Sequence, residues 1–229
     1  MYSAVLRSTL LTTLMIFGLA LPVFAGDPTL AELVDAFKTN MAESQTVLRQ
    51  YEWTETTVVT LDGNEVSRKR HGCYYDANGN FLREPLSPQG KRFERGMLPP
   101  DEKEQLTDYM QAAVKLLRQY IPLNPSGIQA ARLTGGLVFK VTEPGRRGLL
   151  TISNFLLAGD RMVLDLDLAT NRPLSVNIDS YLDNQNEPVS LAVSFGSLYG
   201  TASFARETVL EAKGKKLRIA IQTSDYYKP

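Results

Sequence analysis

Cysteine and histidine are almost missing from this chain of 229 residues, at one each. A lone cysteine excludes any disulfide within the chain, and the pair of them excludes most zinc sites. Net charge is missing as well: 25 Lys+Arg balance 25 Asp+Glu, so the basic excess of a nucleic-acid binder is not there. No G-x-S-x-G elbow occurs, and no glycine-rich loop follows a strand and opens a helix. Serine hydrolase chemistry and nucleotide binding therefore have no support, and no cofactor is expected. Long apolar runs are scarce too. The one near the start, Leu10 to Leu21, has twelve residues and is softened by Thr12 and Thr13. As a helix it rises about 18 Å, short of a hydrocarbon core of about 30 Å. No transmembrane span is expected in the rest of the chain.

What surrounds that short run gives it a meaning. Arg7 precedes it, Pro22 breaks it, and Val23-Phe24-Ala25 places suitable residues at the −3 and −1 positions of a cut after Ala25. Basic start, short apolar core and small-residue site, in that order, describe a secretory signal peptide over residues 1–25. No cysteine follows the run, so it is not a lipoprotein processing site. Cleavage would leave 204 of the 229 residues, with 24 basic against 25 acidic side chains. The product is expected to be periplasmic or secreted, and residues 26–229 read as one domain, with no linker-like stretch of Gly, Ser or Pro.

The mature chain opens with helical spacing. Leu30, Leu33, Val34, Phe37 and Met41 form one stripe, with Asp27 placed to cap it and Pro28 suited to its first position. Thr46 to Leu61 is rich in Thr, Val, Tyr and Trp and reads as a strand. Asp62-Gly63 is a hairpin turn, Glu65 to Tyr75 returns alongside, and Asn78-Gly79 turns the chain into Phe81 to Leu86. Ser87 to Gly96 is polar and basic and reads as a loop or a poor strand. Pro99 and Pro100 open a second helix, with an apolar stripe from Leu106 through Tyr109, Met110, Ala113, Leu117 and Tyr120 to Ile121; Pro122 ends it and Asn124 to Gly127 reads as a loop. From Ala130 onward the pattern is strands, with Gly135-Gly136 dividing one pair. Met162, Leu164, Leu166 and Leu168 alternate with Arg161, Asp165 and Asp167, which places the two aspartates on a solvated face. Asn171-Arg172-Pro173 turns into Leu174, Val176 and Ile178; later sets follow at Val189 to Phe195 and Leu217 to Ile221. About ten strands with one apolar face each, and two amphipathic helices, define a mostly β (α+β) domain. It is built on a long antiparallel meander packed on one side, and sheets of that size tend to curl.

Reactive residues are few. His71 and Cys73 lie two apart on one strand, so they share a face, but no orienting partner is visible. His71 reads as an exposed strand residue and Cys73 as a structural thiol. The basic clusters Arg68-Lys69-Arg70, Lys91-Arg92 with Arg95, and Arg146-Arg147 would matter if they ringed the mouth of an apolar cavity, where they would meet anionic head groups or an acidic partner. Trp53, the single tryptophan, shares a face with Tyr51 and Val59, while Glu52, Thr54 and Thr56 face the other way. Glu55 interrupts that inward set, which places Trp53 near a rim.

Three segments carry a family resemblance: Tyr51-Glu52-Trp53-Thr54-Glu55, the strand-turn-strand stretch Gly159 to Pro173, and the tail Thr208 to Tyr226. Together with the order of signal peptide, helix, strands, helix and strands, they resemble the periplasmic lipoprotein-carrier (LolA-like) superfamily, in an uncharacterised exported branch. The resemblance implies a half-barrel: a curved, unclosed antiparallel sheet with helices on its concave face, and space between them for acyl chains. It carries over no catalytic residue, and no counterpart of the arginine used in the carriers' lid switch is found. The expectation is a non-enzymatic binding or carrier protein for a lipid or an acylated protein. The alternative is an envelope sensor or interaction module that acts through a protein partner. The cavity wall is expected from Tyr51, Trp53, Met162, Leu164, Leu166, Leu174, Val176 and Ile178.

Overall fold

The computed structural model describes residues 30–86, 100–117, 119–120, 125–183 and 185–229. The signal peptide, the Asp27 cap with Pro28, the loop expected over Ser87 to Gly96, and the Pro99, Ile121 and Pro122 boundaries lie outside the described residues. No helix of the described residues is long and apolar enough to cross a membrane.

A helix, α1 (Leu30–Leu48), precedes three strands, β1 (Glu52–Leu61), β2 (Asn64–Tyr75) and β3 (Phe81–Pro85). Two helices follow, α2 (Pro100–Leu117) and α3 (Pro125–Leu133). Seven strands complete the chain: β4 (Leu137–Glu143), β5 (Arg147–Ser153), β6 (Arg161–Asp167), β7 (Arg172–Tyr181), β8 (Pro188–Leu198), β9 (Ala202–Ala212) and β10 (Leu217–Tyr227). All ten strands form one sheet in the order β3-β2-β1-β10-β9-β8-β7-β6-β5-β4, and every recorded neighbour pair is antiparallel. The sheet is curved and unclosed, with β3 and β4 at its edges. The chain enters in the middle, meanders out to β3, transfers to the opposite edge through α2 and α3, and meanders back until β10 pairs with β1.

The hairpins form where their turn residues demand. Asp62 and Gly63 both have positive φ, at 51° and 78°, the conformation of a two-residue turn that matches strand twist. At the next turn the Asp76 carboxylate accepts the backbone N–H groups of Asn78 and Asn80 at 2.9 and 2.8 Å.

Two helical readings need correction. The strand expected from Thr46 starts only at Glu52, because α1 runs on to Leu48. Its buried stripe continues through Ser44, a polar residue whose hydroxyl accepts the Ser203 backbone N–H at 2.9 Å. Among the described residues there are three α-helices rather than two. α3 occupies the chain that was expected to be a loop followed by a strand, so Gly135-Gly136 separates a helix from β4. Nine residues with Gly127 inside show too little periodicity to be read. What holds α3 is tertiary: Ile128 and Ala131 are buried in the core, and the helix lies over β4 and β5.

Two strand readings change as well. Asp165 was expected in water. It is buried, because Arg147 from the neighbouring strand folds across it and donates from Nε at 2.8 Å and from Nη2. Leu174 was expected inward with Val176 and Ile178. The register skips at this point: Ser175 faces Asp165 and Pro173 faces Leu166, so Leu174 is the extra residue of a bulge. Pro173 takes the inward place and Leu174 stays 39% exposed.

These placements set an order of thermal stability. Leu164→Asp puts a charge into the core and should cost roughly 3 kcal/mol or more. Arg147→Ala leaves the Asp165 carboxylate buried without its partner and should melt below the wild type. Asp165→Leu leaves a guanidinium that is 47% exposed and can return to water, so it should be the mildest of the three. Melting curves check the order; an Asp165→Leu variant that melts below Arg147→Ala would mean that the ion pair does not cover Asp165.

Candidate functional site

The helix-covered face of the sheet is built by alternation. On β6 every second residue, Met162, Leu164 and Leu166, points inward. The β7 register sets Ile178 opposite Met162 and Val176 opposite Leu164. All five are buried in one contiguous core with Val34 of α1, Ala113 and Leu117 of α2, Tyr120, and Ile128 and Ala131 of α3. Five of the eight residues expected to wall a cavity are thus together, and helix side chains lie against them. The other three are elsewhere. Leu174 is on the bulge, and Tyr51 precedes β1, where its ring meets that of Tyr199 at 6.2 Å. Trp53 belongs to the aromatic rim described below.

The three helices are not seated alike. α1 lies over β9 and β7, α3 over β4 and β5, and α2 sets Ala113 and Leu117 into the common core. Along α2, burial rises from the first half to the second. Leu106, Tyr109 and Met110 are half-buried; Ala113, Leu117 and, just past the helix, Tyr120 are fully buried. An open-sided groove of about 470 Å³ runs beside the helix, lined by Thr107, Met110, Gln111, Val114 and Lys115. Met110 and Val114 also pack against the core, so the groove and the inner face of the sheet share an apolar wall.

A polar cluster fixes the far end of α2. The Tyr120 hydroxyl donates to Asp160 Oδ2 at 2.6 Å and lies 2.8 Å from the Ser180 hydroxyl. Asp160 closes the β5–β6 loop on itself, accepting the backbone N–H groups of Phe155 at 2.6 Å and of Leu156 and Leu157 at 2.8 Å. Burial, with the adjacent Asp160 carboxylate, pushes the Tyr120 phenol well above its ordinary value. None of this was legible beforehand, because the partners come from three separate stretches of chain.

The rim beside β1 to β3 is aromatic. Trp53 is stacked by Tyr226 on one side and Phe81 on the other, at 5.6 and 5.9 Å, with Tyr75 at 6.1 Å. Trp53 is half-buried, and its ring contacts are with other aromatic side chains. On the same face Glu55 forms an ion pair with Arg83, which also donates to the Thr57 hydroxyl at 3.1 Å. Cys73 faces Trp53 and His71 faces Glu55, so the two share a face as their spacing requires. Burial pushes the Cys73 thiol up to about 11, and burial and the Arg83 cation push the His71 imidazole below its ordinary value. At neutral pH the Cys73 thiol is therefore protonated and not the thiolate that acts as a nucleophile.

Parts of the carboxylate and basic clusters are engaged. Asp165 holds Arg147, and Asp167 accepts the backbone N–H groups of Ala169 and Thr170 at the β6–β7 turn. Arg68 is paired with Glu65 on β2, far across the sheet from Arg147 on β5, so these cations do not ring a common mouth. Lys91, Arg92 and Arg95 lie outside the described residues. Among the described residues no three His, Cys, Asp or Glu side chains are grouped to hold a metal ion.

No family model matches this chain, and no curated protein matches it. Among solved structures it is similar to a LolA superfamily protein from Nitrosomonas europaea, at 10% identity and a TM-score of 0.40, over 84% of this chain and 93% of that one. It is similar also to a DUF1329 family protein from Desulfovibrio piger, at 11% identity and a TM-score of 0.41, over 86% and 92%. A third is an outer membrane lipoprotein-sorting protein domain from Vibrio parahaemolyticus, at 13% identity and a TM-score of 0.37, over 82% and 90%.

The state of Cys73 is open to a direct check. A buried thiol with a raised pKa should resist a thiol reagent in the native chain at pH 8 and react once per molecule after denaturation. Rapid native labelling would mean that the aromatic rim opens readily or that the thiol is activated.

Proposed function

We propose that this chain is a non-enzymatic binding or carrier protein of the cell envelope for a lipid or a lipoprotein acyl chain, exported by means of a signal peptide over residues 1–25. The observation that carries the reading is the groove beside α2. At about 470 Å³ its size is that of a small-molecule site, and Met110 and Val114 join it to the apolar face of the sheet. An acyl chain that enters along the groove and slides under α2 would lie against Met162, Leu164, Leu166, Val176 and Ile178. Those side chains are then core in the empty protein and binding surface in the loaded one.

The driving force is burial, at about 0.8 kcal/mol for each CH₂ removed from water. A chain of sixteen carbons has roughly 12 kcal/mol of gross transfer free energy on that scale. Displaced helix contacts and ordering of the ligand offset part of it, so a net affinity in the micromolar range is reasonable. No general base, metal or activated nucleophile is required. Tyr51, Trp53 and Leu174 are outside this path; Trp53 acts as packing for the rim, and its emission is expected to change little on binding.

Native mass spectrometry of the exported, purified protein is expected to show co-purified lipid. After delipidation, palmitate should displace a bound apolar dye with a micromolar midpoint. Protein that exports and folds, yet carries no lipid and takes up neither dye nor palmitate, would contradict the reading and favour the interaction-module alternative.

A further inference from the structure

We propose that a polar belt on the inner side of β1 to β3, formed by Arg83, Lys69, His71, Glu55 and Thr57, receives the head group of the bound lipid. It selects an acidic head, a carboxylate or a phosphate ester, over a neutral one on the same chain. The proposal rests on the reading of the apolar face as a hydrocarbon site, and adds where the head lies and which class of lipid the site takes.

The register brings these groups together. From Thr54 to Leu61 the pairing of β1 with β10 is unbroken, so Glu55, Thr57, Val59 and Leu61 share one face. Val59 and Leu61 pack against the core, which makes that face the inner one. On β2, His71 stands opposite Glu55 and Lys69 opposite Thr57; on β3, Arg83 stands opposite Cys73. Arg83 reaches back over β2 to β1, where Nη2 donates to Glu55 and, at 3.1 Å, to the Thr57 hydroxyl. One side of this belt is the aromatic group around Trp53. The other side is aliphatic: Val59, Leu61 and Ile221 of β10 all pack against the core. From Thr57 to Leu61 the strand covers about 13 Å, so a head held at Arg83 leads its chain onto the apolar face.

The chemistry of the belt favours an anion. Two cations, Arg83 and Lys69, stand against one carboxylate. Both hydrogen bonds that Arg83 makes to Glu55 and Thr57 leave from Nη2, and a guanidinium has five N–H donors, so three remain. The Arg83 side chain is 40% exposed and that of Glu55 16%, so the cation is the accessible partner. Lys69 is exposed, and its charge acts on His71. The His71 Nδ1 is buried and has no hydrogen-bond partner among the described residues. Buried polar atoms of native folds are nearly all paired, so this one marks a place for a further group. An oxyanion meets the spare donors and the excess positive charge with charge-assisted hydrogen bonds; a neutral hydroxyl gains no such assistance. An ion pair that only fastened the edge strand β3 would not distinguish the two.

The test compares three ligands with the same sixteen-carbon chain, palmitate, hexadecyl phosphate and hexadecanol, each delivered from cyclodextrin to the delipidated full exported chain. Displacement of a bound apolar dye gives affinity. The imidazole signal of His71, the single histidine, gives the position of the head by NMR. The two acids are expected to bind about tenfold more tightly than the alcohol, and only they should shift the His71 signal. Arg83→Gln should remove that preference and leave hexadecanol binding unchanged. Lys69→Gln alters an exposed side chain, keeps the fold, and should weaken the acids alone by several-fold. Equal wild-type affinity for acids and alcohol, an unmoved His71 signal with palmitate bound, or variants that weaken all three ligands alike would overturn the belt as a head-group site while leaving the apolar face as a hydrocarbon site. Inorganic phosphate alone should leave the His71 signal in place; an equal shift would make the belt an anion site in its own right and overturn the head-group assignment. Binding of none of the three ligands would overturn the lipid-binding reading as well.

Discussion

The transfer of the chain from one edge of the sheet to the other governs the rest of the molecule. β3 ends one meander and β4 begins the next at the opposite edge, with eight strands between them in the sheet. Nine spacings of about 4.8 Å make a path of about 43 Å if the sheet were flat. The two helices on that path, of 18 and 9 residues, are about 27 and 14 Å long, so together they are nearly as long as the sheet is wide. A connection that long cannot run round an edge in solvent without leaving an apolar sheet face bare. It crosses the face, and its apolar stripe becomes the other half of the core. The pairing of β10 with β1 then fixes both meanders in one sheet and keeps the crossing under constraint.

Much of this was legible because it is local. Period-two alternation on β6 gave Met162, Leu164 and Leu166 their buried places, and Asp62-Gly63 gave the first hairpin its turn. The errors share a cause: each depends on a partner in another element. Asp165 reads as a surface residue until Arg147 closes over it from the next strand. Leu174 reads as inward until the β6 register shows the bulge, which is a property of two strands and not of one. Ser44 hid the last turn of α1 because its burial is justified only by the Ser203 backbone. The candidate site was legible on the sheet side, where alternation decides. It was not legible on the helix side, where the groove depends on how far α2 stands from the strands.

The same crossing separates the helix-covered apolar face from the reactive residues. Cys73 and His71 lie at the β1–β3 end, in states set by burial and by Arg83 that suit packing. Asp160 is a buried carboxylate of the β5–β6 loop, and its four donors make it an anchor. The apolar face, by contrast, is covered by a helix with a groove at its flank. If α2 parts from that face as proposed, the same side chains are satisfied by the helix in the empty protein and by the hydrocarbon in the loaded one.

The central claim is that the hydrocarbon binds between α2 and the inner face of β6 and β7. Photolabelling with a diazirine-bearing fatty acid, followed by peptide mapping, tests it most directly. The account predicts saturable adducts on Met110 or Val114 of α2 and on Met162 or Ile178 of the sheet, suppressed by excess palmitate. Adducts confined to the aromatic rim around Trp53 and Phe81, or to the outer strand face around Val163 and Ala192, would contradict it.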